Sequence, residues 1–374
     1  MNNGTKFSLE NDLYEYQKSD VDRISNSESN YLLLSEMGTG KTPVAIAVAK
    51  FNKYNCVLII CPKSLKLEWY RQIKDWYGVE PALSRGCYAK LIPLEKVLTG
   101  KTPIFITNYE TFRIERHLEV LNQIPFEFVI MDEAHKIRNH NTKMSKGLKN
   151  FVENHPNTRY LALTGSPIVN NPMDLFTILN LLHPYIYPTN SRMDFLRKYC
   201  YYQHSRYGIK VTGTHNMDEL RHNTSEFTIR HTKKEVLPYL PDKYYRRVIL
   251  EMEEDQKEAY KNLEDELFVL LDSGEPLYAP SVVAQIMRLR QICLEPRIIN
   301  VPASSSKTEF LKDLIEDTGE KLVIFSCFAT YIRHLHNQLS DIPHVMITGQ
   351  QSMEERREAV DKFQSDDSIR LVIG

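Results

Sequence analysis

Residues 35–42, Ser35-Glu36-Met37-Gly38-Thr39-Gly40-Lys41-Thr42, carry glycines, a lysine and a hydroxyl in the order that cradles a polyphosphate. Glycines let backbone N–H groups close around phosphate oxygens at a helix N-terminus, the lysine reaches the β- and γ-phosphates, and the next hydroxyl can ligate Mg²⁺. Met37, Gly38, Thr39, Gly40, Lys41 and Thr42 are therefore candidate nucleoside triphosphate contacts, with Thr42 also a metal ligand. The apolar run Tyr31-Leu32-Leu33-Leu34 before the loop and the alanine-rich run 44–49 after it supply the strand-to-helix setting the chemistry needs. A glycine turn that merely joins a strand to a helix is the bland alternative, and the complete Gly40-Lys41-Thr42 ending argues against it.

About ninety residues on, Phe128-Val129-Ile130-Met131 runs into Asp132-Glu133-Ala134-His135, an apolar strand ending in two carboxylates. Asp132 is placed to hold Mg²⁺ through water, and Glu133 to orient and deprotonate an attacking water in an in-line displacement. Alone, Asp-Glu after a strand is usually a solvated helix cap. Paired with the phosphate loop, it reads as catalytic. His135 alone could be an ordinary satisfied histidine; its place in the tetrad suggests a link between the site and motion.

Those motifs must be held by an α/β frame, and the rest of the chain reads as one. The 374 residues, 42% hydrophobic and 25% charged, suffice for two or three domains of a soluble globular protein. A formal net charge of -1 excludes a global basic field, so any nucleic-acid binding must come from local patches. Cys56, Cys61, Cys87, Cys200, Cys293 and Cys327 are scattered without paired spacing, which suggests neither a zinc site nor a disulfide framework and fits a reducing compartment. The N-terminus is polar and no apolar stretch approaches a membrane span. The expectation is a soluble intracellular protein, in the cytoplasm, nucleoid or nucleus, or in host cytoplasm if viral, with no membrane partner.

Residues 13–24 read as a helix, followed by a polar stretch at 25–30. The β-rich runs 57–60, 104–107, 128–131 and 160–163 alternate with helical patterns, which predicts a doubly wound parallel sheet with helices on both faces. The carboxyl ends of those strands would form the active edge, where Thr164-Gly165-Ser166 joins the two motifs. Residues 174–230 read as a helical, aromatic-rich elaboration with polar breaks at 188–191 and 208–216. A strand-like run at 244–252 follows, then an amphipathic helix at 253–272, a Gly-Glu-Pro turn and a helix near 281–293. After Ala303-Ser304-Ser305-Ser306 the α/β rhythm restarts, with strands at 322–325, 345–347 and 369–373. The expected organisation is a first lobe at 1–185, a helical protrusion with a return strand at 186–302, and a partial second lobe at 303–374. Trp69 and Trp76, spaced i, i+7, and Tyr199, Tyr201 and Tyr202 read as packing residues rather than base-stacking platforms.

With these residues in view, the chain resembles the Swi/Snf-type family of helicase superfamily two, DNA-stimulated ATPases that translocate on duplex. Leu13-Tyr14-Glu15-Tyr16-Gln17 resembles its adenine-recognition segment, Glu36-Met37-Gly38-Thr39-Gly40-Lys41-Thr42 its phosphate loop, and Cys61-Pro62-Lys63-Ser64-Leu65 and Ile106-Thr107-Asn108-Tyr109-Glu110 its first nucleic-acid-contacting segments. The strings 132–139, 161–171, 229–241, 287–293 and 323–326 also match in order and spacing. Ser35 replaces the glycine that opens the general phosphate loop, a departure tolerated in helicase-like motors.

The resemblance implies two RecA-like lobes, the second incomplete, and use of ATP with Mg²⁺. It implies an adenine-reading role for Gln17, and nucleotide contacts at His135, Thr164 and Gly165, with Thr164-Gly165-Ser166 relaying loss of the γ-phosphate. It further implies phosphate-backbone contacts from Lys63, Ser64, Thr107 and Asn108 to duplex DNA without sequence preference. Without the family, Lys63 and Lys233-Lys234 read as solvated surface charges. Two alternatives stay open: the motor part of a restriction or repair nuclease, and a nucleotide-gated DNA-binding scaffold with little hydrolysis. A weaker resemblance of the Lys-Lys-Glu-Val-Leu region points to fork-remodelling members.

The family's arginine-finger segment has no counterpart before Gly374, so the second lobe is expected to be completed by further chain or by another polypeptide. Arginine fingers are worth on the order of a thousandfold or more in turnover. The 374-residue chain is therefore expected to bind ATP without DNA accelerating its hydrolysis, and an ATPase assay with and without duplex checks this. Strong DNA stimulation would show that the lobe is complete enough to work alone.

Overall fold

The computed structural model describes residues 12–84, 102–166, 168, 172–184, 191–206, 208–272 and 279–374. Cys87, Pro167, residues 169–171 and 188–190, and the turn at 274–276 lie outside the described residues. The chain forms two compact units, residues 1–242 and 243–374.

The first unit is built on β1 (Tyr31–Leu33), β2 (Val57–Cys61), β3 (Ala82–Leu83), β4 (Ile104–Asn108), β5 (Phe128–Asp132), β6 (Arg159–Leu163) and, beyond the hairpin β7 (Cys200–Ser205) and β8 (Gly208–Thr214), β9 (Thr228–Ile229). Among the described residues they make a seven-stranded sheet in the order β3-β4-β2-β5-β6-β1-β9, every pairing parallel. Parallel strands need helical crossovers and so are covered on both faces, which explains why the strands read as continuous apolar runs rather than alternating ones.

The period of two then sorts each strand between two cores. Leu32, Leu58, Ile60, Phe105, Val129, Met131 and Ala162 face one side, packed under Leu148 and Phe151 of the helix Lys143–Asn154 and the apolar residues of the helix Met173–Leu182. Leu33, Val57, Ile59, Ile106, Ile130, Leu161 and Leu163 face the other, under the six consecutive buried residues 44–49 of the helix Lys41–Phe51 and under Val21 and Ile24 of the helix Glu15–Ser25. This is the doubly wound α/β lobe expected from the sequence.

Two local expectations change. Residues 244–252 form no strand: Tyr244, Tyr245 and Ile249 are 93%, 89% and 82% exposed. The return strand is instead the short β9, whose Ile229 fits opposite Leu33 at the sheet edge. Within the elaboration, β7 stands where helix was expected and pairs antiparallel with β8, which falls in the expected polar break at 208–216. Tyr199, the last residue of the helix Arg192–Tyr199, is buried and Tyr202 of β7 is half-buried, whereas Tyr201 is 59% exposed and packs only at the surface, its ring centroid 4.7 Å from that of His215.

The second unit carries β10 (Leu322–Ile324), β11 (His344–Met346) and β12 (Leu371–Ile373), parallel in the order β10-β12-β11. Its core gathers Ile315, Phe328, Tyr331, Ile332, Leu335 and Leu371. The helices Glu254–Asp272 and Ala279–Ile292 belong to it: the buried Gln256 donates from Nε2 to the Ile292 carbonyl at 2.7 Å, and Ser304 donates from N to Asp255 at 2.8 Å. The segment 186–302 is thus divided at Asp242 between the two units. No helix among the described residues is long and apolar enough to cross a membrane.

Gly147, in the helix Lys143–Asn154, lies so close to the turn Tyr109–Arg113 that a Cβ there would overlap the Phe112 carbonyl oxygen. Overpacking of this kind costs roughly 1–3 kcal/mol, more than the helix propensity alanine would gain. Gly147→Ala is expected to lower the urea unfolding midpoint; an unchanged midpoint would mean that helix and turn are less tightly apposed.

Candidate nucleotide site

Both motifs stand at the carboxyl ends of parallel strands, β1 and β5, with β6 between them. β1 runs into the phosphate loop, β5 ends in Asp132, β6 delivers Thr164 and Gly165, and β9 leads to residues 230–233. This rim is where open α/β sheets place ligands.

The loop holds its shape through backbone and side-chain ties. Gly38 and Gly40 have φ of 80° and 75°, left-handed conformations that a side chain would strain. A Cβ on Gly40 would also collide with the Gln17 amide. Tyr16 Oη donates to the Thr39 carbonyl at 2.8 Å, and Gln17 Nε2 donates to the same oxygen at 3.2 Å. Burial pushes the Tyr16 phenol up to about 12, so it stays a donor at any ordinary pH.

Ser35 explains its own departure from glycine: its hydroxyl accepts the His231 N–H at 3.1 Å, a bond glycine could not make. His231 is held in turn by Asp20, its Nε2 lying 2.9 Å from Oδ1.

Lys41 Nζ donates to the carbonyls of Ser35 (2.8 Å) and Glu36 (3.0 Å). Burial depresses its pKa, opposed by the nearby carboxylates of Glu133 and Asp132. Thr42 follows at the helix start, half-exposed.

The buried Asp132 is oriented on both oxygens. Trp69 Nε1 donates to Oδ2 at 2.7 Å and the Glu133 N–H donates to Oδ1 at 3.0 Å, while Tyr109 Oη donates to its carbonyl at 2.7 Å. Burial raises its pKa, with Trp69 pulling the other way. Glu133 adopts φ 52°, unusual for a residue with a side chain, and its carboxylate lies near enough to Lys41 to favour that ammonium. His135 Nδ1 lies 3.0 Å from Glu133 Oε2, yet the approach lacks hydrogen-bond alignment and leaves Oε2 buried without a hydrogen-bond partner. A buried carboxylate oxygen without a donor fits a water to be oriented there. The same His135 nitrogen sits 3.2 Å from Thr164 Oγ1, and a Cβ on Gly165 would stand 2.9 Å from Met37 Cγ and 3.3 Å from Lys41 Nζ.

A family model of the SNF2-related domain matches residues 16–298. The chain belongs to the SNF2-related domain family. It is 26% identical over 369 residues to a SWI/SNF-related regulator of chromatin, subfamily A-like protein 1, of Drosophila melanogaster, covering 98% of this chain and 46% of that protein. It is 26% identical over 372 residues to an uncharacterised ATP-dependent helicase of Mycoplasma genitalium, covering 95% and 34%. The DNA annealing helicase and endonuclease ZRANB3 of Bos taurus is 23% identical over 369 residues, with 96% and 33% covered. The chain spans less than half the length of these relatives. The Sulfolobus solfataricus SWI2/SNF2 ATPase core, solved with double-stranded DNA, superposes with a TM-score of 0.51 at 24% identity over 98% of this chain and 79% of that one, a likeness of fold.

Within this SNF2-related domain, Gln17, residues 37–42, Asp132, Glu133, His135, Thr164 and Gly165 gather at one rim. Lys63, Ser64, Thr107 and Asn108 stand apart, at the ends of β2 and β4. With β1 and β2 separated by two strands, they lie about 14 Å or more along the sheet from the phosphate loop. Lys63 and Ser64 are exposed. Thr107 and Asn108 are fully buried, with Thr107 Oγ1 paired to Thr111 Oγ1 at 2.8 Å and Asn108 Nδ2 donating to Glu110 at 2.6 Å, so neither side chain is presented to a ligand in this conformation. Sequence reading took Trp69 for core packing alone. The signal it lacked was spatial: the indole comes from a helix sixty-three residues before Asp132.

Trp69→Phe keeps the ring packing but removes the donor, stranding a buried carboxylate oxygen at a cost of about 1–3 kcal/mol. Because the folded pKa of Asp132 already lies above its unfolded value, its charged form destabilises the fold, and that loss grows as pH rises through the folded pKa. Removing the donor raises the folded pKa further. The stability difference between Trp69→Phe and parent, read by urea denaturation, should therefore be large at neutral pH and shrink toward acid; a pH-independent difference would detach Trp69 from Asp132.

Proposed function

We propose that the chain is an ATP-hydrolysing, DNA-dependent motor of the Swi/Snf type that moves along or remodels complexes on duplex DNA. The observation that carries this reading is the convergence of Lys41, Asp132, Glu133 and Thr164 at the ends of neighbouring strands, with Glu133 Oε2 buried and, among the described residues, without an aligned hydrogen-bond donor. Backbone N–H groups of 38–42 and the Lys41 ammonium would bind the phosphates, and Gln17 would read adenine. Thr42 and Asp132 would hold Mg²⁺, which supplies neutralisation of phosphate charge when bound. Glu133 would take a proton from the attacking water. The contact between His135 and Thr164 ties the water-orienting segment to the end of β6, a route by which loss of the γ-phosphate could be felt beyond the site.

The relatives named above as helicases and chromatin regulators, and the archaeal core solved on duplex, favour DNA as the track. Lys63 and Ser64, exposed at the end of β2, are the proposed backbone contacts. Phosphate contacts position a protein without reading bases, so no sequence preference is expected. A further polypeptide segment supplying the arginine-finger part of the second lobe completes the proposal.

Calorimetry with ATP and Mg²⁺ tests the reading. Lys41→Ala is expected to bind sharply less tightly with the fold intact. Glu133→Gln should retain binding and lose turnover by roughly 10²–10⁴-fold in a hydrolysing chain. Loss of binding in Glu133→Gln would misassign its role, and equal affinity in Lys41→Ala would remove the nucleotide site. For DNA, log affinity should fall linearly with log salt, and Lys63→Ala should reduce that slope by about one at every sequence tried. A strong sequence preference at fixed salt would contradict backbone tracking.

A further inference from the structure

We infer that Lys233 is a second phosphate-binding ammonium of the nucleotide site, delivered over the phosphate loop by the segment that leaves β9. This rests on the nucleotide reading above and adds to it a residue from outside both motifs.

The delivery follows from topology. β1 and β9 are parallel neighbours, so the loop leaving one and the segment leaving the other emerge at the same rim. They remain joined past the strand ends: Leu34 N–H donates to the Ile229 carbonyl at 2.7 Å and Glu36 N–H to the His231 carbonyl at 2.9 Å. His231 N–H donates to Ser35 Oγ, and Lys233 N–H donates to Glu36 Oε2 at 2.9 Å. A capping box then fixes the chain direction, with Thr232 and Glu235 exchanging side-chain-to-backbone hydrogen bonds.

This arrangement spends the Glu36 carboxylate on the Lys233 backbone. Among the described residues the Lys233 ammonium has neither ion pair nor hydrogen bond. It nonetheless lies over the loop, where Cε and Nζ each stand 3.2 Å from the position a Cβ on Gly38 would take. A lysine serving only solubility extends into water, as the exposed Lys234 next to it does. Lys233 is half-buried against a glycine whose missing side chain makes room for it. Its charge is close enough to Lys41 to disfavour that ammonium, adding to the larger effect of burial. Two ammoniums at one glycine-rich loop, Lys41 Nζ held by loop carbonyls and Lys233 Nζ brought there by its backbone tie to Glu36, form a cradle for a multiply charged anion. For the site described, that anion is the polyphosphate of the nucleotide.

The test is titration calorimetry of ATP with Mg²⁺ against the parent chain and Lys233→Met, Lys233→Arg, Lys234→Met and Lys41→Ala, each also melted without nucleotide. Lys233→Met keeps the aliphatic packing and removes the charge. It is expected to weaken ATP by about tenfold or more, the size of a lost charge-assisted hydrogen bond. Lys233→Arg should stay within a few-fold of parent, Lys234→Met should match it, and melting without nucleotide should not change. If Lys233→Met binds like the parent while Lys41→Ala does not bind, the inference falls and the nucleotide site stands. Equal losses in Lys233→Met and Lys233→Arg would assign a packing role and also overturn it. If Lys41→Ala binds like the parent, the nucleotide reading itself fails.

Discussion

The register of β1 between β6 and β9 is the constraint on which the site depends. Leu33 lies opposite Leu163 on one side and Ile229 on the other, so the next residues of all three strands arrive at the rim together. Ser35, Thr164 and His231 are then within reach of one another's elements without any long side chain having to span a gap. A slip of one residue would exchange every strand side chain between the two cores, where Leu33 and Leu163 belong to one and Leu32 and Ala162 to the other. It would also withdraw the Thr164 N–H from the Leu33 carbonyl, the 3.0 Å bond that seats β6 against the start of the loop. Packing thus sets the position of chemistry that packing residues never touch.

At the end of that register the fold holds charge against its own interest. Burial lowers the pKa of Lys41 and raises that of Asp132, so each charged form is disfavoured even though each has the other nearby. Both shifts have the same cause, the transfer of a charged group out of water. Trp69 and the Glu133 N–H limit the cost for Asp132, and two loop carbonyls do so for Lys41. Neither set is a full replacement for water. A site assembled this way interacts more strongly with an incoming polyanion and divalent cation than the same groups in solvent would, because less reorganisation remains to be done.

Much of this could be read from residues alone, and the physics says which part. Strands β2, β4, β5 and β6 announce themselves because burial on both faces demands uninterrupted apolar runs. The phosphate loop and Asp132-Glu133 announce themselves because phosphate and water chemistry admits few substitutes. β9 could not be read: two residues, Thr228 and Ile229, carry no period, and their identity as a strand comes wholly from the β1 edge beside them. The run 244–252 shows the converse, with β-rich composition but no pairing to any described strand, and propensity without a partner yields no strand. Thr107 and Asn108 were assigned by resemblance to a ligand, whereas local pairing with Thr111 and Glu110 turns both side chains inward. Contacts between residues far apart in sequence, such as Trp69 with Asp132 or Lys233 with Gly38, leave no local trace at all.

The loop itself is clamped from two directions, and this bears on how a motor could use it. Thr39 is gripped by Tyr16 and Gln17 from the first helix, while Ser35 and Glu36 are gripped by residues 231–233 after the last strand of the sheet. Only Met37 and Gly38, between the grips, are exposed. A nucleotide bound there meets a preshaped cradle rather than a loop that must order itself, so less of the binding energy goes into conformational entropy. The same clamp means that the loop cannot shift alone. Any displacement of Ser35 or Glu36 must either break the ties to His231 and Lys233 or carry that segment with it, and the segment runs on within ten residues to the boundary of the second unit at Asp242. The hydroxyl that replaces a glycine at position 35 is therefore a mechanical link as well as a tolerated variant: it ties the glycine-rich loop to the segment that follows β9.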